Sequence, residues 1–278
     1  MQHIQRAILT ALLLAASPAF AADTVAFISN LKGEVAIDGH ARPLLMSELV
    51  KGQKIVVGVD SQASVMYIAS GKEYVLKGPA DYVVKDMEVS GSAGMPPLTR
   101  ETEWRTSSKV LVQVAQTSAA SVRMRSIAKV KPDMAPKLLF PTRDSVSTLQ
   151  PTFRWRAANP SAQSEFTLLV TEEEKPVYQA KVIGGTLQLP AKLKPETEYA
   201  WLVSLAGNEI GSARFRTLTA QAVSEIERRR PPTSAEFSDR LLFALLLYEM
   251  GATQEARESW AKLSQERSDL PELAGLAR

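Results

Sequence analysis

Residues able to carry chemistry are sparse in this chain. There is no cysteine, and past residue 22 one histidine remains, His40, in a Gly39-His40-Ala41 turn. That composition removes a histidine pair, a metal triad and a Cys–His dyad, and a Ser–His–Asp triad would have to be built around a loop histidine. No Walker loop occurs, and Ser90-Gly91-Ser92-Ala93-Gly94 lacks the spacing and the strand-to-helix context of a nucleophile elbow. Folding could still assemble paired carboxylates or a Ser–Lys dyad from distant positions. The expectation is a protein that is not an enzyme, with no cofactor and no metal. Glu172-Glu173-Glu174 reads as a solvated loop cluster, because calcium would need further spaced oxygen ligands. Trp155 and Trp201 sit at period-two strand positions, where an aromatic ring is either core or a platform for a sugar ring.

The start of the chain reads as an address. Arg6 supplies a basic start, Ala7–Ala16 an apolar core too short to span a bilayer, and Ala19-Phe20-Ala21 the small-x-small form that signal peptidase accepts. Cleavage is expected after Ala21 or Ala22. Removal of the leader takes Arg6 and leaves 32 basic residues against 30 acidic ones. That balance does not suit a nucleic-acid binder. The basic residues are scattered apart from Arg228-Arg229-Arg230, which at a helix end reads as a dipole partner and a solvated face. The absence of cysteine also removes any lipobox or disulfide framework, which suits a bacterial periplasm. No apolar run of about eighteen residues follows residue 22, so no stable membrane span is expected.

From Gly33 to Val84 short apolar runs alternate with glycine turns at spacings of about ten residues, the rhythm of a small β domain. The runs are Glu34–Ile37, Lys54–Val57, Ala63–Ile68, Glu73–Leu76 and Tyr82–Val84, with Gly52, Gly58, Gly71 and Gly78 where turns need positive φ or room. The string from Gly52 through Ile55, Gly58, Ser61, Ala63, Val65 and Tyr67 to Gly71, followed by Leu76-Lys77-Gly78-Pro79, resembles the FecR domain. Proteins of that family in the strict sense place a cytoplasmic sigma-factor-binding region and one transmembrane helix before a periplasmic domain that senses an iron-siderophore transporter. Neither precedes the domain here. The resemblance therefore implies an envelope signalling role without direct sigma-factor control.

Residues 89–135 read as a linker with possible edge strands at Lys109–Val114 and Ser121–Met124. Residues 136–218 read as a sandwich domain, with Phe153 and Trp155 on one strand face, further strands at Phe166–Val170, Val177–Val182 and Thr186–Leu189, and a closing strand at Ile210–Phe215. The string Leu193-Lys194-Pro195-Glu196-Thr197-Glu198-Tyr199-Ala200-Trp201 resembles the fibronectin type III signature, and implies a tyrosine corner at Tyr199. By alternation Tyr199, Trp201 and Val203 share the core face, opposite Trp155.

Helix periodicity takes over at Thr219. A short helix, Ala220–Arg230, ends at Pro231-Pro232, and Thr233-Ser234-Ala235-Glu236 has capping-box spacing for a helix to Met250. Gly251 is its expected left-handed cap, and Thr253 opens a second helix through Gln265. Ser268–Leu276 begins one more. Ala244, Gly251, Ala256, Trp260 and Leu263 fall at spacings that resemble a tetratricopeptide repeat. Residues 241–248 are apolar throughout, so that helix has two faces to cover. In a tetratricopeptide hairpin Phe243, Ala244 and Leu247 would meet the partner helix and leave Leu241, Leu245 and Tyr248 on the concave side. Those three are the candidate protein-binding residues, to be covered either by the Ala220–Arg230 helix and the sandwich or by another molecule.

The fold class is thus mainly β with a helical C-terminus: a signal peptide at 1–22, a FecR-like β domain at 23–88, the linker, a fibronectin III/Ig-like β-sandwich, and tetratricopeptide-like helices at 219–278. The expected function is a periplasmic interaction or scaffold protein that docks an envelope protein partner, or a second copy, through its terminal helices. The alternative is a module that binds a glycan, peptidoglycan or a small ligand through its β domains.

Overall fold

The computed structural model describes residues 24–41, 43–91, 96–102, 104, 111, 137–157 and 164–277. The expected leader and the expected strand Ser121–Met124 lie outside the described residues. Of the expected strand Lys109–Val114 only Leu111 is described, and it is helical and buried, which corrects the strand reading there.

Ten strands build the first β unit: β1 (Thr24–Lys32), β2 (Val35–Ile37), β3 (His40–Ala41), β4 (Glu48–Val50), β5 (Lys54–Val57), β6 (Gln62–Tyr67), β7 (Glu73–Lys77), β8 (Ala80–Val84), β9 (Val89–Gly91) and β10 (Leu98–Arg100). They form two five-stranded sheets, in the orders β10-β7-β6-β1-β4 and β3-β2-β5-β8-β9. β5 alternates exposed and buried residues, as a strand with one wet face must. β6 is buried along almost its whole length, and β1 and β7 pair with its two edges. The glycines have the two expected uses. Gly52 and Gly71 turn with φ of +90° and +62°, whereas a Cβ on Gly78 would lie 1.8 Å from the Gly58 carbonyl oxygen.

Eight strands build the sandwich: β11 (Lys137–Phe140), β12 (Ser145–Val146), β13 (Thr152–Arg156), β14 (Glu165–Glu172), β15 (Lys175–Ile183), β16 (Thr186–Gln188), β17 (Glu198–Leu205) and β18 (Asn208–Thr217). One sheet runs β11-β13-β16 and the other β12-β18-β17-β14-β15, with β12 parallel to β18 and the remaining pairs antiparallel. The inward positions are those that alternation assigns. Phe153, Trp155, Tyr199, Trp201 and Val203 are all buried, and the Phe153 and Trp201 rings meet at 4.8 Å between centroids. The fibronectin III-like corner closes as expected, the Lys194 amide donating to the Tyr199 hydroxyl at 3.0 Å and the Thr217 hydroxyl donating to the Lys194 carbonyl at 2.6 Å.

Four helices follow: α1 (Ala220–Arg229), α2 (Phe237–Glu249), α3 (Thr253–Glu266) and α4 (Pro271–Leu276). The α1 start is capped by the Thr219 hydroxyl, which accepts from the Ala222 amide at 3.0 Å. The expected capping box does not form. Residues 233–236 are occupied by a turn in which the Ala235 amide donates to the Pro232 carbonyl, and α2 starts one residue past Glu236 with no side-chain cap. Gly251 has φ +89° just beyond α2, as expected.

The helices do not stand apart as a third body. Leu241, Leu242, Leu245, Leu246, Trp260, Leu263, Leu273 and Leu276 share one hydrophobic core with Phe27, Ile28, Leu49, Ile55, Val65, Tyr67 and Leu76 of the first β unit. The sandwich has its own core. Two ends of the described chain thus close on each other to make a base, and the sandwich is inserted between them.

Candidate functional site

Leu241 and Leu245, the apolar candidates for partner binding, are 0% and 4% exposed. Tyr248 is half-buried, with its ring against Trp260 at 5.4 Å between centroids. The second face of α2 is covered by the chain itself, because α2 lies on β1. This corrects both alternatives, since neither another molecule nor the Ala220–Arg230 helix with the sandwich provides the cover, but the first β unit. A helix apolar all round needs cover on two sides, and the first β unit provides the side that α3 does not.

Buried charge fixes this arrangement. Arg100, opposite Glu73 in the β10–β7 ladder, donates from Nε to Glu73 Oε2 at 2.7 Å. Its Nη1 donates to Asp239 Oδ2 at 2.6 Å and its Nη2 to Ser238 Oγ at 2.8 Å, both on α2. Ser29 Oγ on β1 donates to the other Glu73 oxygen at 2.6 Å. Burial works against the guanidinium charge, but the bond to Asp239 and the charge and hydrogen bond of Glu73 outweigh it and hold the Arg100 pKa above its ordinary value. Arg267, at the end of α3, makes a second pin. Its Nη1 donates to Asn30 Oδ1 at 2.7 Å, its Nη2 to the Leu31 carbonyl, and its guanidinium lies 5.0 Å from the Phe237 ring centre. Sequence reading assigned Arg100 to a linker and missed this network, since three-residue strands such as β10 carry almost no periodicity.

The sandwich is mounted on the N-terminal end of α3 by polar contacts. Gln254 Oε1 accepts from the Thr142 amide at 3.0 Å and Gln254 Nε2 donates to the Leu139 carbonyl at 2.6 Å. The Thr253 hydroxyl bonds Asp144, and Ser145 N donates to the Gly251 carbonyl at 3.3 Å. Glu255 accepts from the Ser147 amide at 2.8 Å and from the Ser147 hydroxyl at 3.0 Å. Arg154 of β13 donates to both oxygens of Glu258 at 2.6 Å. Burial pushes the Glu255 carboxyl above the ordinary carboxylate range, while the Ser147 bonds and the Arg230 charge pull the other way. The basic run is also used internally. Arg228 and Arg229 pair with Glu225, Arg229 lies over Trp104 and Arg230 over Phe243.

Among the described residues β15 pairs with β14 alone, runs nine residues, and exposes Val177 at 44% and Ile183 at 69%. One end of the same sheet forms a concavity of about 770 Å³ lined by Glu172, Glu173, Glu174, Glu196, Glu198 and Arg214. Glu173 and Glu174 form its turn with φ of 47° and 65°. Lys194 pairs with Glu172 and Arg214 with Glu198, so the carboxylates there are partly neutralised. Among the described residues no group of three His, Asp or Glu side chains is gathered to hold a metal, and no helix is long and apolar enough to cross a membrane. His40 is exposed at the β2–β3 turn. Trp104, Trp155, Trp201 and Trp260 are all buried, and Trp201 Nε1 donates to the Pro141 carbonyl at 2.6 Å.

No protein family matches the chain, and no curated protein matches it. Among solved structures, the central fibronectin-III array of RIM-binding protein is 15% identical with a TM-score of 0.22, over 73% of this chain and 60% of that one. The extracellular domain of a candidate one-component system from B. thetaiotaomicron is 7% identical with a TM-score of 0.23, over 66% of this chain and 31% of that one. This chain therefore spans less than two thirds of either, and overlaps this loose bear neither on its fold nor on its activity.

Proposed function

We propose that this is an exported, non-catalytic interaction protein of the bacterial envelope, in which the β/α base holds the sandwich and β15 takes the partner. The observation that carries the reading is the nine-residue β15, which has one neighbour among the described residues and so offers a sheet edge to which an extended segment of another protein can add as a further strand. Main-chain hydrogen bonds would supply affinity, and Val177 and Ile183 the side-chain register. Pro176, Lys175 and Lys181 limit indiscriminate pairing along the same edge. The leader-like start supports export, and the resemblance of Gly52–Gly71 to the FecR domain supports a place in envelope signalling. The scarcity of histidine and cysteine supports a non-catalytic role. The glycan alternative loses its tryptophan platform, since those rings are core.

The test is a photo-crosslinking amino acid placed at Val177, Ile183 or Val59 in the intact envelope. Val59 is 71% exposed on the base and serves as the reference. Adducts of one discrete protein from Val177 and Ile183, absent from Val59, are expected. Adducts from Val59 alone, or from none of the three, would overturn the β15 assignment.

A further inference from the structure

The mount between sandwich and base is built around a carboxylate, although a neutral side chain would join the two parts at less desolvation cost. Both oxygens of Glu255 are turned to Ser147, one on its amide and one on its hydroxyl. The groups around it come from each element packed there. Arg230, at the end of α1, reaches the same Ser147 hydroxyl from Nη2 at 3.5 Å and pairs with Glu227 at 3.0 Å. Arg154 on β13 is taken by Glu258, one turn along α3, and Asp144 is taken by Thr253. Among the described residues no cation makes an ion pair with Glu255; Arg230, reaching the same Ser147 hydroxyl, favours its charge and the like-charged Glu258 opposes it.

We propose that Glu255 is a proton-sensitive latch that sets how firmly the sandwich is held on the base. Undocked, its carboxyl would be solvated and titrate in the ordinary range. Docked, burial raises its pKa, so the docked state binds the proton more tightly. By linkage, docking strengthens as pH falls through the docked value and levels off below the undocked one. Protonated, Glu255 accepts from the Ser147 amide on its carbonyl oxygen and turns its O–H to the Ser147 hydroxyl, which then accepts, so the joint carries no net charge there. The angle at which β15 is presented thereby becomes coupled to the acidity of the compartment.

The chain has no cysteine, so Val59→Cys and Ile183→Cys introduce two spin labels, one on the base and one on the sandwich, with no background. The distance distribution between them, measured by double electron–electron resonance in the otherwise full chain, should narrow as the pH is lowered from neutrality into the ordinary carboxylate range. Glu255→Gln should be narrow throughout, and Ser147→Ala broad throughout, while near-ultraviolet circular dichroism shows both variants folded. A distribution in the parent that does not change with pH, or a Glu255→Gln protein with the parent's pH dependence, would overturn the proposal. No partner is present in this experiment, so its outcome is separate from that of the crosslinking.

Discussion

At the scale of single residues, the buried ion network gives the sharpest expectations. Glu73 is 2% exposed and depends on Arg100 and Ser29 for its hydrogen bonds. Arg100→Ala would leave a buried carboxylate without its counter-charge, so we expect about 3–5 kcal/mol lost from the base in urea denaturation. Tyr199→Phe removes the hydroxyl that accepts the Lys194 amide, and should cost the sandwich about 0.5–1.5 kcal/mol without moving the transition of the base. Gly78→Ala sets a methyl group against the Gly58 and Val57 carbonyls and should cost at least about 1–3 kcal/mol. The two aromatic faces and the tyrosine corner were legible because alternation and the Leu-x-Pro-turn-Tyr string are local signals. The Arg100 network was not legible, since its members Ser29, Glu73, Arg100, Ser238 and Asp239 are scattered over about two hundred residues and nothing in any one of them marks the others.

At the scale of elements, several strands with a wet face were readable, and β5 has the bounds that its pattern assigns, whereas β11 with the same alternation was not read. β1 was missed although it is the element on which α2 rests, because it follows directly on the leader-like segment and is apolar without alternation. The strand order that leaves β15 at an edge was also beyond sequence reading, since order depends on which loops cross. The residue types of α2 were read correctly, but the identity of its cover was not. Leu245→Ala should cost about 2–5 kcal/mol as a core truncation, whereas loss of binding with stability intact would return this helix to a docking role. Conversely Val177→Lys with Ile183→Lys should leave stability within about 0.5 kcal/mol and abolish adducts from a crosslinker placed at the exposed Gln179 of the same strand. At the far end of α3, the hydrogen bond from Arg240 lowers the Glu266 pKa, and that from Arg267 lowers the Asp269 pKa. Their folded values lie below the unfolded ones, so this support is present above the ordinary carboxylate range and is lost as pH falls through the lowered values, the reverse of Glu255.

At the scale of the whole molecule, the chain is a base closed from both sides of an inserted sandwich, so the covalent order of its parts differs from their physical grouping. That organisation directs attention away from the terminal helices and toward the sandwich as the part free to meet a partner. It is tested most directly by ending the chain at Leu218 and recording the two-dimensional amide spectrum of residues 24–218 beside that of the longer chain. The account predicts that the resonances of β1–β10 collapse toward random-coil positions, because the helices supply much of their core, while the sandwich keeps its dispersed signals. A truncated chain in which both sets of signals stay dispersed and unshifted would show that the helices are an appendage, and would contradict the account.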